Sequence, residues 1–233
     1  MRFKEPLIEG TLIRRYKRFI ADVALPDSTI VQAHCPNSGS MRTCLGEGWP
    51  VMLSDSHNPK RKLRYTWEMV HNGKCWIGIN THLANRIAEE AIRNGRIAEL
   101  TDYQELRAEV KYGQNSRIDL LLQRDGRLCF VEVKNVTLVE ADGYYKFPDA
   151  VTIRGRKHLF ELTEMVRQGH RAIMLFMIQR TDGTAFRPAA EIDPNYARAL
   201  RDAHRAGVEI LPYLVEVTPE EITVTRKVEF VLD

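Results

Sequence analysis

The sequence predicts a two-domain α/β (α+β) protein: a small β-barrel over residues 1–82, then a mixed α/β domain over residues 83–233. Three observations predict it. Residues 7–80 alternate short apolar runs with turn-forming clusters, as short strands in a closed all-β unit do. From residue 83 the rhythm changes to helix-length amphipathic segments separated by apolar strands. Within that second part the runs IDLLL and LCFVEV flank Asp125-Gly126, a dipeptide whose backbone preferences close a tight antiparallel turn.

In the first domain the runs LIEGTLI, FIADVAL, IVQAHC, WPVMLS, WEMV and CWIGIN read as strands, separated by PDS, PNSGS, GEG, HNPK and HNGK. In the second, LANRIAEEAIRNGRIAEL reads as one helix from Leu83, with Ala84, Ile87, Ala88 and Ala91 on a buried stripe. LRAEVKYG follows as a strand, then the hairpin over 117–134, then RKHLFELTEMVRQG as a helix ending near Gly169. RAIMLFMI is a buried strand, and PNYARALRDAHRAG is a helix with Pro194 near its start and Gly207 at its end. VEILPYLVEV and EITVTRKVEFVL close the chain as strands. There is no internal repeat.

A hydrophobic content of 44% is enough for a real core, and no run of eighteen apolar residues offers a membrane span. The opening MRFKEPLIEG lacks a signal-peptide pattern, so a cytoplasmic protein without membrane contact is expected. Cys35, Cys44, Cys75 and Cys129 have neither disulfide-framework nor zinc spacing and are expected to be reduced thiols. Residues 1–80 hold 12 Lys and Arg against 7 Asp and Glu, whereas the remainder holds 22 against 24. A basic first domain beside a near-neutral second one suits a polyanionic partner.

The hairpin carries the chemistry. Pairing across Asp125-Gly126 sets Asp119 opposite Glu132, with Ile118, Leu120 and Leu122 facing Val133, Val131 and Cys129 on an apolar side. The other side carries Asp119, Glu132, Leu121, Phe130 and Lys134. Like charges so opposed destabilise a sheet unless a cation sits between them. Lys134 alone could be that cation, giving a plain ion-paired trio. Alternatively a divalent metal, Mg²⁺ or Mn²⁺, is held by Asp119, Glu132 and the backbone carbonyl of Val133, since magnesium prefers a few hard oxygen ligands and retained water. That metal would serve phosphodiester chemistry, with Lys134 holding the nucleophile or the phosphate. A second E-x-K, Glu109-Val110-Lys111, is set aside because no hairpin delivers it an opposing Asp.

Four other groups are candidates. Glu90 lies nearer the buried stripe of its helix than Glu89 and is a possible third catalytic carboxylate. Arg154, Lys157 and His158 cluster at a helix start, where backbone N–H groups favour phosphate. RRYKRF (Arg14, Arg15, Tyr16, Lys17, Arg18) and PKRKLRYTW (Lys60, Arg61, Lys62, Arg64) interleave cations with rings, as nucleic-acid surfaces do. Alternate residues on a strand point inward, so Tyr16 and Trp67 could equally be core. No helix-turn-helix or zinc-finger pattern supports sequence-specific readout.

The order helix, strand, strand, strand, helix, strand over about 83–178 resembles the PD-(D/E)xK nuclease core, although Ile118 stands where the name has proline. HCPNSGSM at 34–41, RIDLLLQ at 117–123, VEVKNVTL at 131–138 and FPDAVTIRGRKHL at 147–159 are similar to the SfsA family, named for stimulation of sugar fermentation. The resemblance implies an OB-like first domain, a nuclease-like second one, and non-specific binding of DNA, with RNA as an alternative. A helix glutamate often completes the metal site in such cores, which raises Glu90. Two functions are therefore expected in competition: a metal-dependent phosphodiesterase using Asp119, Glu132, Lys134 and Glu90, or a non-catalytic DNA-binding regulator of sugar (maltose) metabolism on a nuclease-like scaffold.

Overall fold

The computed structural model describes residues 1–113 and 116–232. The first domain contains β1 (Ile8–Tyr16), β2 (Ile20–Ala24), β3 (Ile30–His34), β4 (Pro50–Asp55), β5 (Tyr65–His71) and β6 (Trp76–Gly78). Their order β3-β2-β1-β4-β5, closed by parallel β3–β5 pairing, makes a five-stranded barrel with β6 added to β5. Inward side chains of these strands fill it, among them Leu12, Val23, Val51, Leu53 and Trp67. Trp67 is therefore core and not a stacking platform.

The second domain contains α1 (Ala84–Arg93), β7 (Glu105–Tyr112), β8 (Ser116–Arg124), β9 (Arg127–Val136), β10 (Leu138–Val139), β11 (Tyr145–Phe147), α2 (Ile153–Arg167), β12 (Arg171–Ile178), β13 (Phe186–Pro188), α3 (Pro194–Arg205), β14 (Glu209–Val217) and β15 (Ile222–Lys227). A mixed sheet runs β15-β14-β12-β9-β8-β7. One face packs Leu120, Leu122, Val131 and Val133 against Ile87 and Ala88 of α1. The other packs Leu121, Phe130 and Phe176 against Leu159 of α2 and Leu200 of α3. The small sheet β10-β11-β13 was not anticipated, because two- and three-residue strands carry no periodicity.

Asp125 and Gly126 both take positive φ, 48° and 77°, the left-handed pair that matches the twist of a two-residue hairpin. Arg124 then faces Arg127, and the predicted register holds from there to Leu120 opposite Val131. Two expectations need correction. Ile118 packs with Leu121 and Phe130 on the α2 side, not with Leu120 and Leu122, so strict alternation breaks between 118 and 121. The single helix expected over 83–100 ends at Arg93, because Gly95 turns the chain at φ 66°; only one 3-10 turn, Ala98–Leu100, follows.

The two domains are joined by polar ties. Arg180, 3% exposed, grips Asp182 with two parallel bonds of 2.6 and 2.7 Å and donates to Thr43 Oγ1 and the Thr137 carbonyl. Asn72 Nδ2 of the barrel reaches the same Asp182 at 2.7 Å. Arg42 pairs with Glu140 at 2.6 Å, and Gly78 N–H donates to the Gln179 carbonyl. The first residues cross over: Met1 and Phe3 pack in the α1-side core, and Arg2 bridges to Glu221. Among the described residues no helix is long and apolar enough to cross a membrane, and all four cysteines are free.

Candidate active site

β8 and β9 separate beyond Leu120 and Val131. From that point β8 stays paired with β7, as Ile118 with Val110, while β9 continues on β12, with Glu132 beside Met174 and Lys134 beside Phe176. A separating pair leaves backbone groups to be satisfied otherwise, and Asp119 stands in the fork. Its Oδ2 accepts the Val133 N–H at 2.8 Å, and its Oδ1 accepts Asn85 Nδ2 of α1 at 2.8 Å.

Glu132 is 1% exposed. Its Oε1 receives Lys134 Nζ at 2.6 Å and is in contact with His158 Nδ1 of α2; its Oε2 has no hydrogen-bond partner among the described residues. Arg154 Nε donates to His158 Nε2 at 3.2 Å, which leaves the imidazole proton on Nδ1, directed at Glu132. Burial, and then the neighbouring Glu132 charge, push the Asp119 carboxyl up. Burial acts upward on Glu132 too, but the bond from His158 and the bond and charge of Lys134 outweigh it and hold that carboxyl below its usual range. Two adjacent acids are thereby driven apart in proton affinity, an arrangement common where carboxylates do chemistry. The buried hydroxyls of Tyr112 and Tyr196 also lack hydrogen-bond partners among the described residues, and burial followed by the Glu132 charge keeps both protonated.

Lys134, 16% exposed, opens on a cavity of about 540 Å³ between the domains, which Asn85 and Arg154 also line. The barrel contributes Arg18, Asn37 and Gly39, and the segment Phe147 to Thr152 forms the facing wall. Asp149 Oδ2 accepts the Met41 N–H at 3.1 Å across this junction.

The structure brings Asp119, Glu132, Val133 and Lys134 together and adds Arg154 and His158. His158 is buried against Glu132, so its place on a phosphate-binding surface is corrected to one supporting the carboxylate. Glu90 is not there: its Oε1 pairs with the Met1 ammonium at 2.8 Å, because its turn of α1 faces β15 and the chain start. Asn85, one turn earlier, is the α1 residue that reaches the fork. Glu109, set aside from sequence, does arrive. β7 pairs Ala108 with Leu120 and Val110 with Ile118, so Glu109 falls across from Asp119, at a strained φ of 54°, and shares Asn85 Nδ2 with it at 3.2 Å. An isolated Asn on a helix and a third strand's register leave no local signal, which is why both were missed.

The first basic stretch spans the end of β1 and the β1–β2 turn, and the second runs through the β4–β5 connection into β5; these two connections are the loops with which OB barrels meet oligonucleotides. Several of their members are committed elsewhere. Arg15 donates to the carbonyls of Arg18, Asn37, Gly39 and Ser40, pinning the loop below it. Arg14 pairs with Asp22 at 2.8 Å, Tyr16 bonds Asp22 and Gln32, and Arg64 pairs with Asp55 at 2.5 Å. Lys17, Arg18, Lys60, Arg61 and Lys62 are exposed, although Arg61 also reaches Thr66 at 3.2 Å. Lys157 lies 3.6 Å from Glu161.

A metal fits this donor set only as magnesium-like sites do, with few protein ligands. The unpartnered, buried Oε2 of Glu132 beside Asp119 is the observation in favour. Against it, no group of three or more His, Cys, Asp and Glu among the described residues is placed to hold a metal ion.

Known proteins resemble the chain along its whole length. Two family models match, the SfsA N-terminal OB domain over residues 13–79 and the sugar fermentation stimulation protein RE domain over residues 82–221. A sugar fermentation stimulation protein homolog of Geotalea uraniireducens is 58% identical over 227 residues, covering 97% of this chain and 98% of that one. The homolog of Geobacter sulfurreducens is 60% identical over 222 residues, 95% of each. The solved structure of Pyrococcus furiosus SfsA in complex with Ca²⁺ matches at a TM-score of 0.89 and 27% identity, over 99% of this chain and 98% of that one.

Proposed function

The chain belongs to the SfsA family, and on that premise we propose that it binds DNA without sequence preference and carries a Mg²⁺- or Mn²⁺-dependent phosphodiesterase site at Asp119, Glu132 and Lys134. The observation that carries the reading is the fork: two carboxylates and a lysine converge there, one buried carboxylate oxygen has no partner among the described residues, and the lysine faces a cavity also lined by Arg18 and Arg154. The Ca²⁺ held by the Pyrococcus furiosus relative supports a hard divalent ion here. Asp119 and Glu132, with the Val133 carbonyl, would hold the ion, which when bound lowers the pKa of water and offsets charge on a phosphodiester.

The remaining work falls to the chain. Lys134 Nζ is placed to stabilise negative charge developing on a phosphate in the cavity. His158 and Arg154 orient Glu132 and keep it ionised, while Asn85 and the Val133 N–H fix the angle of Asp119. Four unpaired cysteines fit a reducing compartment such as the cytoplasm. The second reading, a non-catalytic DNA-binding regulator of sugar metabolism, is favoured by the lack, among the described residues, of a group of three or more His, Cys, Asp and Glu side chains placed to hold a metal ion. RNA is the alternative partner to DNA, since phosphate contacts do not distinguish them.

The test is calorimetric titration with Mn²⁺ near neutral pH. Native protein is expected to give a saturable heat that an Asp119→Asn, Glu132→Gln double variant loses; equal heats would remove the metal site. Binding to nucleic acid should in turn weaken by about 10³ between 50 and 200 mM salt if six phosphates are contacted. Replacing Arg18, Lys60, Arg61 and Lys62 by Ala should flatten that salt slope, whereas replacing Arg14, already paired with Asp22, should not. A slope unmoved by the fourfold variant would place the binding face elsewhere.

A further inference from the structure

The cavity in front of Lys134 has a shape that selects among nucleic acids. We infer, resting on the proposed reading of this site, that it takes an unpaired strand and excludes a continuous double helix. At about 540 Å³ the cavity lies within the range of pockets built for small ligands and cofactors, room for a nucleotide or two and not for paired strands. The acid it must serve is recessed: Glu132 is almost fully buried behind Lys134, so a phosphate has to be carried down between the walls. In a duplex the second strand would ride in with it.

Loosely joined domains could open to admit a duplex, since hinge motion is the default between domains. Here the walls are tied together. Gly39 of the barrel lies so close to the facing segment that a Cβ there would collide with the Asp149 carboxylate. The Asp149 bond to Met41 N–H, the Arg42–Glu140 pair and the buried Arg180 grip on Thr43 cross the same junction. Walls joined by these contacts across the domain junction hold the cavity at a nearly constant width.

The approach to the cavity also suits a single strand. Arg61 bonds Thr66, Thr66 lies beside His34 in the β3–β5 pairing, and the His34 ring is 6.4 Å from that of His82, next to Thr81 at the cavity edge. On the other side Arg18 lines the cavity with Phe19, 44% exposed, beside it. Two arginines, Arg61 and Arg18, with an accessible ring beside one of them suit the way OB barrels track unpaired strands, the rings stacking on bases that a duplex would keep inside.

Fluorescence anisotropy with native protein tests this at fixed salt and without added metal. The probes are a short unpaired oligonucleotide, the same sequence as a duplex closed by hairpin loops at both ends, and a duplex with an unpaired tail, each made as DNA and as RNA. The single strand and the tailed duplex should bind at least about tenfold more tightly than the end-closed duplex, the scale of one base-stacking contact. Arg18→Ala should weaken binding of the first two by a larger factor than that of the third, which loses only a phosphate contact. Equal affinity for the end-closed duplex and the single strand overturns the inference while leaving nucleic-acid binding intact. Failure of every probe to bind overturns the nucleic-acid reading itself, and the inference with it.

Discussion

Lys134→Ala will lower the rate of oligonucleotide cleavage in Mn²⁺ by about 10²- to 10³-fold, the usual contribution of one charged group aimed at developing charge. Nucleic-acid affinity should stay near native, because it is spread over many phosphate contacts on the barrel loops. Metal binding should also persist, since neither Asp119 nor Glu132 is altered and His158 still holds Glu132 Oε1. That separation is the informative part: a loss of affinity equal to the loss of rate would mean that Lys134 only binds. A contaminating nuclease would show itself by acting equally in native and variant preparations. Native protein that cuts no strand with any divalent metal, or a variant that cuts as fast, would leave the DNA-binding regulator as the function.

Asp182→Asn is expected to cost about 3–5 kcal/mol at neutral pH, because it strands the Arg180 guanidinium in a buried site. Burial alone would raise the Asp182 carboxyl, but the two Arg180 bonds, with Asn72, hold it at about 2. A folded-state pKa below the unfolded value of about 3.9 stabilises the fold fully above that value, and the contribution disappears as pH falls through about 2. Urea denaturation of native and variant proteins should therefore differ most near pH 7 and converge between about pH 4 and pH 2. A difference that does not shrink in that window would mean the loss comes from packing and not from the ion pair. Asp182 also receives Asn72 of the barrel, so the variant should loosen the domain junction.

The hairpin shows how far local pattern reaches. Asp125-Gly126 and the flanking apolar runs were sufficient to set the register from Arg124 opposite Arg127 to Leu120 opposite Val131, and hence to bring Asp119 near Glu132 and Lys134. The same pattern failed one residue further on. Pairing was expected to continue, with Ile118 on the α1 side, but β8 follows β7 while β9 follows β12, and Ile118 turns to the α2 side. The helix glutamate fails for a similar reason. Helical periodicity ranks Glu90 close to the buried stripe but cannot say what lies beyond each end of the helix, and its carboxylate meets Met1. The Arg15 side chain looks like any other cation in RRYKRF, yet its donors are spent on four carbonyls.

By itself, then, the sequence determined the division into a β-barrel and an α/β domain, the strands and helices long enough to show a period, and the Asp119, Glu132 and Lys134 constellation. These depend on interactions between residues close along the chain or joined by a two-residue turn, where alternation and turn chemistry act directly. Only the tertiary structure decided that Asn85 and Glu109 meet Asp119, that His158 supports Glu132 from beneath, and that Asp149 closes a cavity against Gly39 of the other domain. Those contacts join residues 10 to 110 positions apart, across strands and domains whose mutual placement is set by the packing of two hydrophobic faces of one sheet and by the ties around Arg180. No single segment carries a record of that packing, because each apolar face fits many partners until the whole sheet is assembled.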